Sequence, residues 1–186
     1  LKITIPKKPS NSYLLCQYLL LNWKLKLFNI QKIQKKDNEI TRIFIPLLIS
    51  IAAAAHQKGN PNLLFGLIFK IISLSLQYGH SNASLIAYTS YAFFLSSKDK
   101  YKQSYNLSCM AEKLLKTNTN IEFEIITIHM CESFIKPWHH PFQTSYENLQ
   151  ENYKLAIRAS ELYFLGFSFL NAIILERNFK LYSKDI

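Results

Sequence analysis

With 186 residues, 49% of them apolar and 14% aromatic, the chain is long enough to bury a core and too apolar to be disordered. Four glycines and six prolines are too few for the turns of an all-β fold. The net charge of +10 rests on nineteen lysines and three arginines, Arg42, Arg158 and Arg177, which argues against the arginine-led reading of bases and phosphates.

Scattered lysine, together with abundant Ile, Asn, Phe and Tyr, fits a codon bias and a solvated positive surface. The alternative is an anionic partner, nucleic acid or membrane. Cys16, Cys109 and Cys131 are odd in number, widely spaced and free of any CxxC, so no disulfide framework is expected and the cytoplasm is the default location. The sequence opens on Leu1 and not on Met, which favours a fragment of a longer protein, and no signal peptide is recognised. Two apolar runs, Ile43 to Ala55 and Leu63 to Leu76, are shorter than the roughly 20 residues of a membrane span. They are read as buried helices, and no membrane span is expected.

In chain order, residues 1–10 form a frayed lead-in with Pro6 and Pro9. Asn11 or Ser12 caps a first helix that runs through Trp23 to about Phe28. A basic polar stretch, Gln31 to Asn38, precedes a helix starting at Asn38-Glu39 and ending at Gly59. Pro46 kinks this helix or marks its first turn; the kink is preferred. At Gly59-Asn60-Pro61 a left-handed glycine ends one helix, Asn60 caps the next and Pro61 occupies its first position, which predicts a tight antiparallel pair. The third helix covers Pro61 to Gln77 and stops at Gly79. Ser81 caps a fourth, to about Leu95, and Ser96 to Asp99 turn.

A fifth helix follows over Tyr101 to Lys116, with Leu107, Met110, Ala111 and Leu114 on one stripe. Asn118-Thr119-Asn120 breaks it. Ile121 to Phe134 carries enough β-branched residues for a strand through Phe123, Ile125 and Thr127, but its helical neighbours decide for helix. Lys136 to Pro141 is a structured loop. The next helix starts at Pro141, or at Thr144 with Glu147 as a capping box. A last helix spans about Ser160 to Arg177, and 178–186 is a polar tail. The expectation is an all-α protein of about seven to eight helices, a single helical-repeat domain over 11–177. Pairs recur at about 40 residues, which points to an α-solenoid of antiparallel hairpins with degenerate tetratricopeptide-like repeats.

From Ile43 to about Ala172 the sequence resembles a known family. The residues that carry the likeness are the small-residue helix Ala52 to Ala55, the start Asn60-Pro61-Asn62-Leu63, the Tyr78-Gly79 turn before Ser81-Asn82-Ala83-Ser84, and the loop Trp138 to Pro141. They are similar to the helical region of large bacterial hybrid signalling proteins. Those proteins join a serine/threonine-kinase-like domain, a predicted signal-transducing NTPase of AAA type, a tetratricopeptide-like region, and GAF or PAS modules with a histidine kinase output. Leu20 to Leu27, with Trp23, falls where that family has a helix before the Ala-rich one. Pro46, and Ser160-Glu161 where the family has Gly-Asp, depart from the pattern. The resemblance implies a non-catalytic segment, because the family's catalytic residues lie in other domains.

No phosphate-binding loop, HRD, DFG, HExxH, GxSxG or EF-hand loop occurs, so neither an enzyme nor a cofactor is expected. His129, Cys131, His139 and His140 are metal-ligand types close in sequence, but positions two apart do not share a helix face. Ser73, Ser75, Tyr78 and His80 contain a nucleophile and a base, yet helical serines and a turn histidine are commoner. Tyr88, Tyr91, Phe93 and Phe94 line a peptide groove or pack the core. Tyr88, Tyr91 and Trp138 are the candidate interaction surface.

The expected function is therefore an interaction and relay segment of a signal-transduction protein. Its partners would be neighbouring domains or another protein, without specific nucleic acid. A stand-alone helical regulator that binds a peptide or a nucleic acid is the alternative. The first and last helices are apolar on more than one face, so the isolated chain is expected to self-associate.

Overall fold

The computed structural model describes residues 5–27, 33, 36–115 and 120–182. Among these there are eight α-helices and no strand, so the protein is all-α. The breaker at Asn118-Thr119 and most of the basic stretch from Gln31 lie outside the described residues. Two compact units, Leu1–Tyr91 and Ala92–Ile186, divide the chain that the sequence presents as one repeat domain.

In the first unit the end of the expected lead-in, at Pro9 and Ser10, is held; residues 1–4 lie outside the described residues. Pro9 is buried, with Tyr13 and Leu14 beside it at the α3 backbone of Gly66. The Asn62 side-chain amide donates to the Pro9 carbonyl at 3.0 Å. Helix α1 covers Asn11–Leu27. Its cap is Ser10, one residue before the expected pair, whose hydroxyl accepts from the Tyr13 amide at 3.2 Å.

Asn38 starts the next helical stretch, accepting from the amides of Ile40 and Thr41, both at 3.1 Å. A π-helical turn, Ile40–Phe44, runs into helix α2, Ile45–Gln57. Pro46 sits in the first turn of α2, so the wider turn ahead of it takes the place of the expected kink. Ala52 and Ala55 are buried where α2 packs on helix α3, Pro61–Tyr78. Asn60 caps α3 by accepting from the Leu63 amide at 3.1 Å. Nine α3 residues between Gly66 and Leu76 are buried, which places α3 at the centre of this unit's core. Both apolar helical stretches, Ile40–Gln57 and Pro61–Tyr78, reach 18 residues, longer than the runs suggested. By length and composition either one could cross a bilayer. Helix α4, Asn82–Ser96, begins with Ser81, whose amide donates to the Ser84 hydroxyl at 3.0 Å.

The second unit holds helices α5 (Tyr101–Leu115), α6 (Ile121–Phe134), α7 (Phe142–Ala159) and α8 (Leu162–Tyr182), with a 3₁₀ turn, Lys136–Trp138, between α6 and α7. Asn120 caps α6, accepting from the amides of Glu122 at 2.9 Å and Phe123 at 3.3 Å, and the strand alternative is not realised. Helix α7 starts beyond Pro141, so Thr144 and Glu147 lie inside it; Glu147 accepts from Gln143 at 2.8 Å instead of closing a capping box. Ser160 is the left-handed end of α7, at φ 57°, and α8 continues to Tyr182 into the stretch expected to be a polar tail. Helices α6, α7 and α8 pack on one another.

Gly59 and Ser160 carry the same backbone demand with opposite side-chain consequences. Nothing lies within 4 Å of a Cβ added at Gly59, so Gly59→Ala is penalised by its φ of 63° alone. We expect Gly59→Ala to lower unfolding stability by about 1–2 kcal/mol and Ser160→Gly to raise it by about 0.5–1 kcal/mol, read by urea titration. Equal and same-sign effects would contradict the left-handed assignments.

Candidate functional site

The most built polar arrangement in the second unit surrounds Glu132, near the C-terminal end of α6. The residue is 2% exposed, and a carboxylate at that depth needs donors. Three are present. Lys136 Nζ and Asn148 Nδ2 donate to Oε1, each at 2.8 Å, and Ser145 Oγ donates to Oε2 at 2.9 Å. The i, i+4 spacing of Glu132 and Lys136 lets the ammonium reach back to the carboxylate near the C-terminal end of α6. Ser145 and Asn148, three apart on α7, present both donors from one face.

Lys136 also pairs with Glu112 of α5. Burial alone would lower its pKa, but the hydrogen bonds and charges of Glu112 and Glu132 outweigh burial and hold it above the ordinary lysine value. Lys136 is therefore a fixed cation that joins α5 to α6, and Glu132 carries the network on to α7.

Beside this network opens a cleft of about 430 Å³, lined among others by Glu124, Glu132, Lys136, Asn148, Glu151 and Arg158. With Glu112 included, its lining has four carboxylates and two cations. The cleft is acidic within a chain whose formal charge is +10. Glu151 is engaged by Lys154 at 2.7 Å, and that partner keeps its carboxyl below the usual range. Glu124 makes no ion pair among the described residues.

A second polar chain crosses the core. Asn152 Nδ2 donates to the Ile125 carbonyl at 3.1 Å and to Ser168 Oγ at 3.2 Å. Ser168 in turn lies 3.2 Å from His129 Nδ1. Its hydroxyl accepts from the amide and is free to donate to an unprotonated ring nitrogen. Burial of His129 pushes its pKa down to about 4, so the ring is neutral at pH 7.

These arrangements account for the residues singled out in the sequence. His129 is bound into the core, and His139 Nε2 lies 3.0 Å from the Tyr101 carbonyl oxygen, so the histidine–cysteine group is not assembled. No set of three metal-ligand types comes together among the described residues. In the first unit Ser75 bonds the Ile71 carbonyl at 2.9 Å and Ser84 Oγ at 2.8 Å, while His80 Nδ1 meets the Tyr88 hydroxyl at 2.9 Å. That is a buried structural knot.

Tyr88 and Tyr91 are fully buried and do not form the interaction surface expected of them. Burial raises the pKa of both phenols, with the Ser75 hydrogen bond opposing the shift at Tyr88 and the Tyr18 charge adding to it at Tyr91. The Tyr91 ring packs edge-on against Phe69, with its hydroxyl on Asn22 at 2.9 Å. Trp138 alone of the three is exposed, at 67%. Glu132, Ser145 and Asn148 were not anticipated. Their only trace in the sequence is the i, i+4 pair Glu132–Lys136 at a helix end.

No family model matches the chain, and neither curated proteins nor solved structures yield a match.

Two measurements check this site. Lys136→Met strands Glu132 and is expected to cost about 3–5 kcal/mol in urea unfolding. His129, with a folded pKa of about 4 and an unfolded value near 6.5, is protonated preferentially in the unfolded chain. Its contribution is therefore present above about pH 6.5 and is lost as pH falls toward 4. Between pH 7 and 4.5 the loss is about 2–3 kcal/mol, and His129→Gln flattens that limb. An unchanged limb in the variant would contradict the assignment.

Proposed function

We propose that the chain is a non-catalytic interaction and relay segment of a multidomain bacterial signal-transduction protein of the ATPase and sensor-kinase type, with the acidic cleft of the second unit as its binding surface. The all-helical architecture and the family resemblance over Ile43 to Ala172 favour a solenoid-like module. Serines and histidines that could have served catalysis are used in internal hydrogen bonds.

The observation that carries the reading is the pairing of a locked floor with an open rim. Glu132 is saturated by Lys136, Ser145 and Asn148, while Glu124 stands on the same cleft without an ion pair among the described residues. A fixed acidic groove suits a lysine- or arginine-bearing protein segment, which would gain charge-assisted hydrogen bonds there. A partner that closes or opens the groove would shift how α6 and α7 pack, which is the relay step.

Titration of the purified chain with fluorescein-labelled basic and acidic peptides tests this. Saturable binding of basic peptides alone, weakened about tenfold by Glu124→Lys, is expected. Micromolar, saturable Mg-ATP binding in calorimetry, or nucleotide hydrolysis abolished by Glu132→Gln, would overturn the non-catalytic reading.

A further inference from the structure

Helix α1 is apolar on two faces and uses one of them. Its inner side meets α3: Tyr13 and Leu14 lie against the backbone at Gly66, Tyr18 sits 6.3 Å from the Phe69 ring, and Leu21 is buried. Its outer side carries Leu15, Leu19, Leu20, Trp23 and Leu27, each at least 52% exposed. Four of these fall at strict four-residue steps, 15, 19, 23 and 27, so they form one stripe.

Charge identifies what the stripe faces. Up to Tyr91 the sequence has eleven Lys and Arg against two acids, Asp37 and Glu39; beyond it there are eleven against ten. The chain's positive excess therefore belongs almost wholly to the first unit. Before Asp37 there are eight lysines and no acid at all. Lys7 and Lys8 precede α1 and are exposed, and Lys24 and Lys26 lie in its last turn.

Lys26 decides between kinds of partner. It is exposed and stands three residues after Trp23 and seven after Leu19, within the apolar stripe. An apolar protein face laid on the stripe would strip water from that ammonium, and α1 has no acid to offset it. At a bilayer surface the lysine stem lies among the leucines while the ammonium reaches a headgroup phosphate, and an indole favours the same depth.

We propose that the outer face of α1 docks the first unit onto an anionic lipid surface, with Leu15, Leu19, Trp23 and Leu27 in the acyl boundary and Lys24 and Lys26 among the phosphates. This goes beyond the peptide cleft, which lies in the other unit. A helix lying in the interface with basic residues beside aromatic and aliphatic ones binds by area and charge together, so it is reversible and salt-sensitive.

The test uses the full chain carrying Trp138→Phe, which leaves Trp23 as its single tryptophan. It is mixed with phosphatidylcholine vesicles with or without about one-third phosphatidylserine. We expect a blue shift of Trp23 emission and co-sedimentation with the anionic vesicles only, both reduced by added salt. Lys24→Gln with Lys26→Gln, and separately Leu15→Gln with Leu19→Gln, should each weaken partitioning on the order of tenfold with the circular dichroism spectrum unchanged. Five results would overturn the proposal. One is the absence of any shift. Another is equal binding to neutral vesicles. A shift that grows with protein concentration without lipid would assign the face to a second copy, and one produced by duplex DNA or RNA alone would assign it to nucleic acid. Retention through alkaline carbonate would mean insertion of α2 or α3 instead of surface docking.

Discussion

Every helix in this chain must satisfy the amides of its first turn and the carbonyls of its last, and with only four glycines the protein meets that demand in its own way. Asparagine serves three of the starts. Asn38, Asn60 and Asn120 each accept from amides two or three residues on. Three ends use a six-to-one bond around one left-handed residue: Asn60 to Ala55 at 2.9 Å, Lys100 to Leu95 at 3.0 Å and Glu161 to Ala156 at 3.0 Å. The left-handed residues are Gly59, Asp99 and Ser160. Two of those three are not glycine and carry a penalty of roughly 1–2 kcal/mol each that packing must offset. Where each helix stops fixes which side chains reach the core, so burial follows from these turns.

The second unit adds a different constraint, a charge in its interior. Burying Glu132 costs several kcal/mol, and its donors return that only because they come from elements already packed together. Ser145 and Asn148 are on α7, Lys136 on the loop, and Lys136 extends the contact to Glu112 on α5. A well-packed aliphatic side chain at position 132 would hold α6 to α7 with less penalty. What the carboxylate supplies is register, since Ser145 and Asn148 reach it together only when α6 and α7 are aligned at that point. The core is not otherwise tuned for satisfaction. Thr127 Oγ1 and Asn152 Oδ1 are buried without donors or acceptors among the described residues, each costing about 1–3 kcal/mol.

Turn chemistry was legible because it is local. Gly59-Asn60-Pro61 needs no knowledge of the rest of the chain to be recognised as an end, a cap and a first turn. Helix α6 was legible despite its β-branched residues because a strand at Ile121 to Thr127 would have had no partner. Local reading failed where one motif fits two offsets. Thr144 and Glu147 have capping-box spacing, but the helix already starts at Phe142 with Pro141 as its N-cap, beside the earlier of the two starts the sequence offers. It failed again for Tyr88 and Tyr91. Aromatic rings on a helix show which residues prefer apolar surroundings, not whether another helix supplies them. The Glu132 site was hidden for the same reason: its contributors Glu112, Glu132, Lys136, Ser145 and Asn148 are spread from position 112 to position 148 and meet only once α5, α6 and α7 have packed.

Whole-chain charge concealed the most informative asymmetry. A total of +10 spread over 186 residues reads as a solvated surface, and scattered lysine supports that reading. Divided at Tyr91, the same charges become a strongly basic unit and a nearly balanced one, and their neighbourhoods differ in kind. In the second unit acids and bases are brought together, as at Glu132, Lys136 and Glu112. In the first, the lysines around α1 have no acid within the helix to meet, and they flank exposed leucine and tryptophan. Charges that find partners inside a fold contribute to its register. Charges that find none act outward, and beside an exposed apolar stripe their complement is a surface that is apolar and anionic at once.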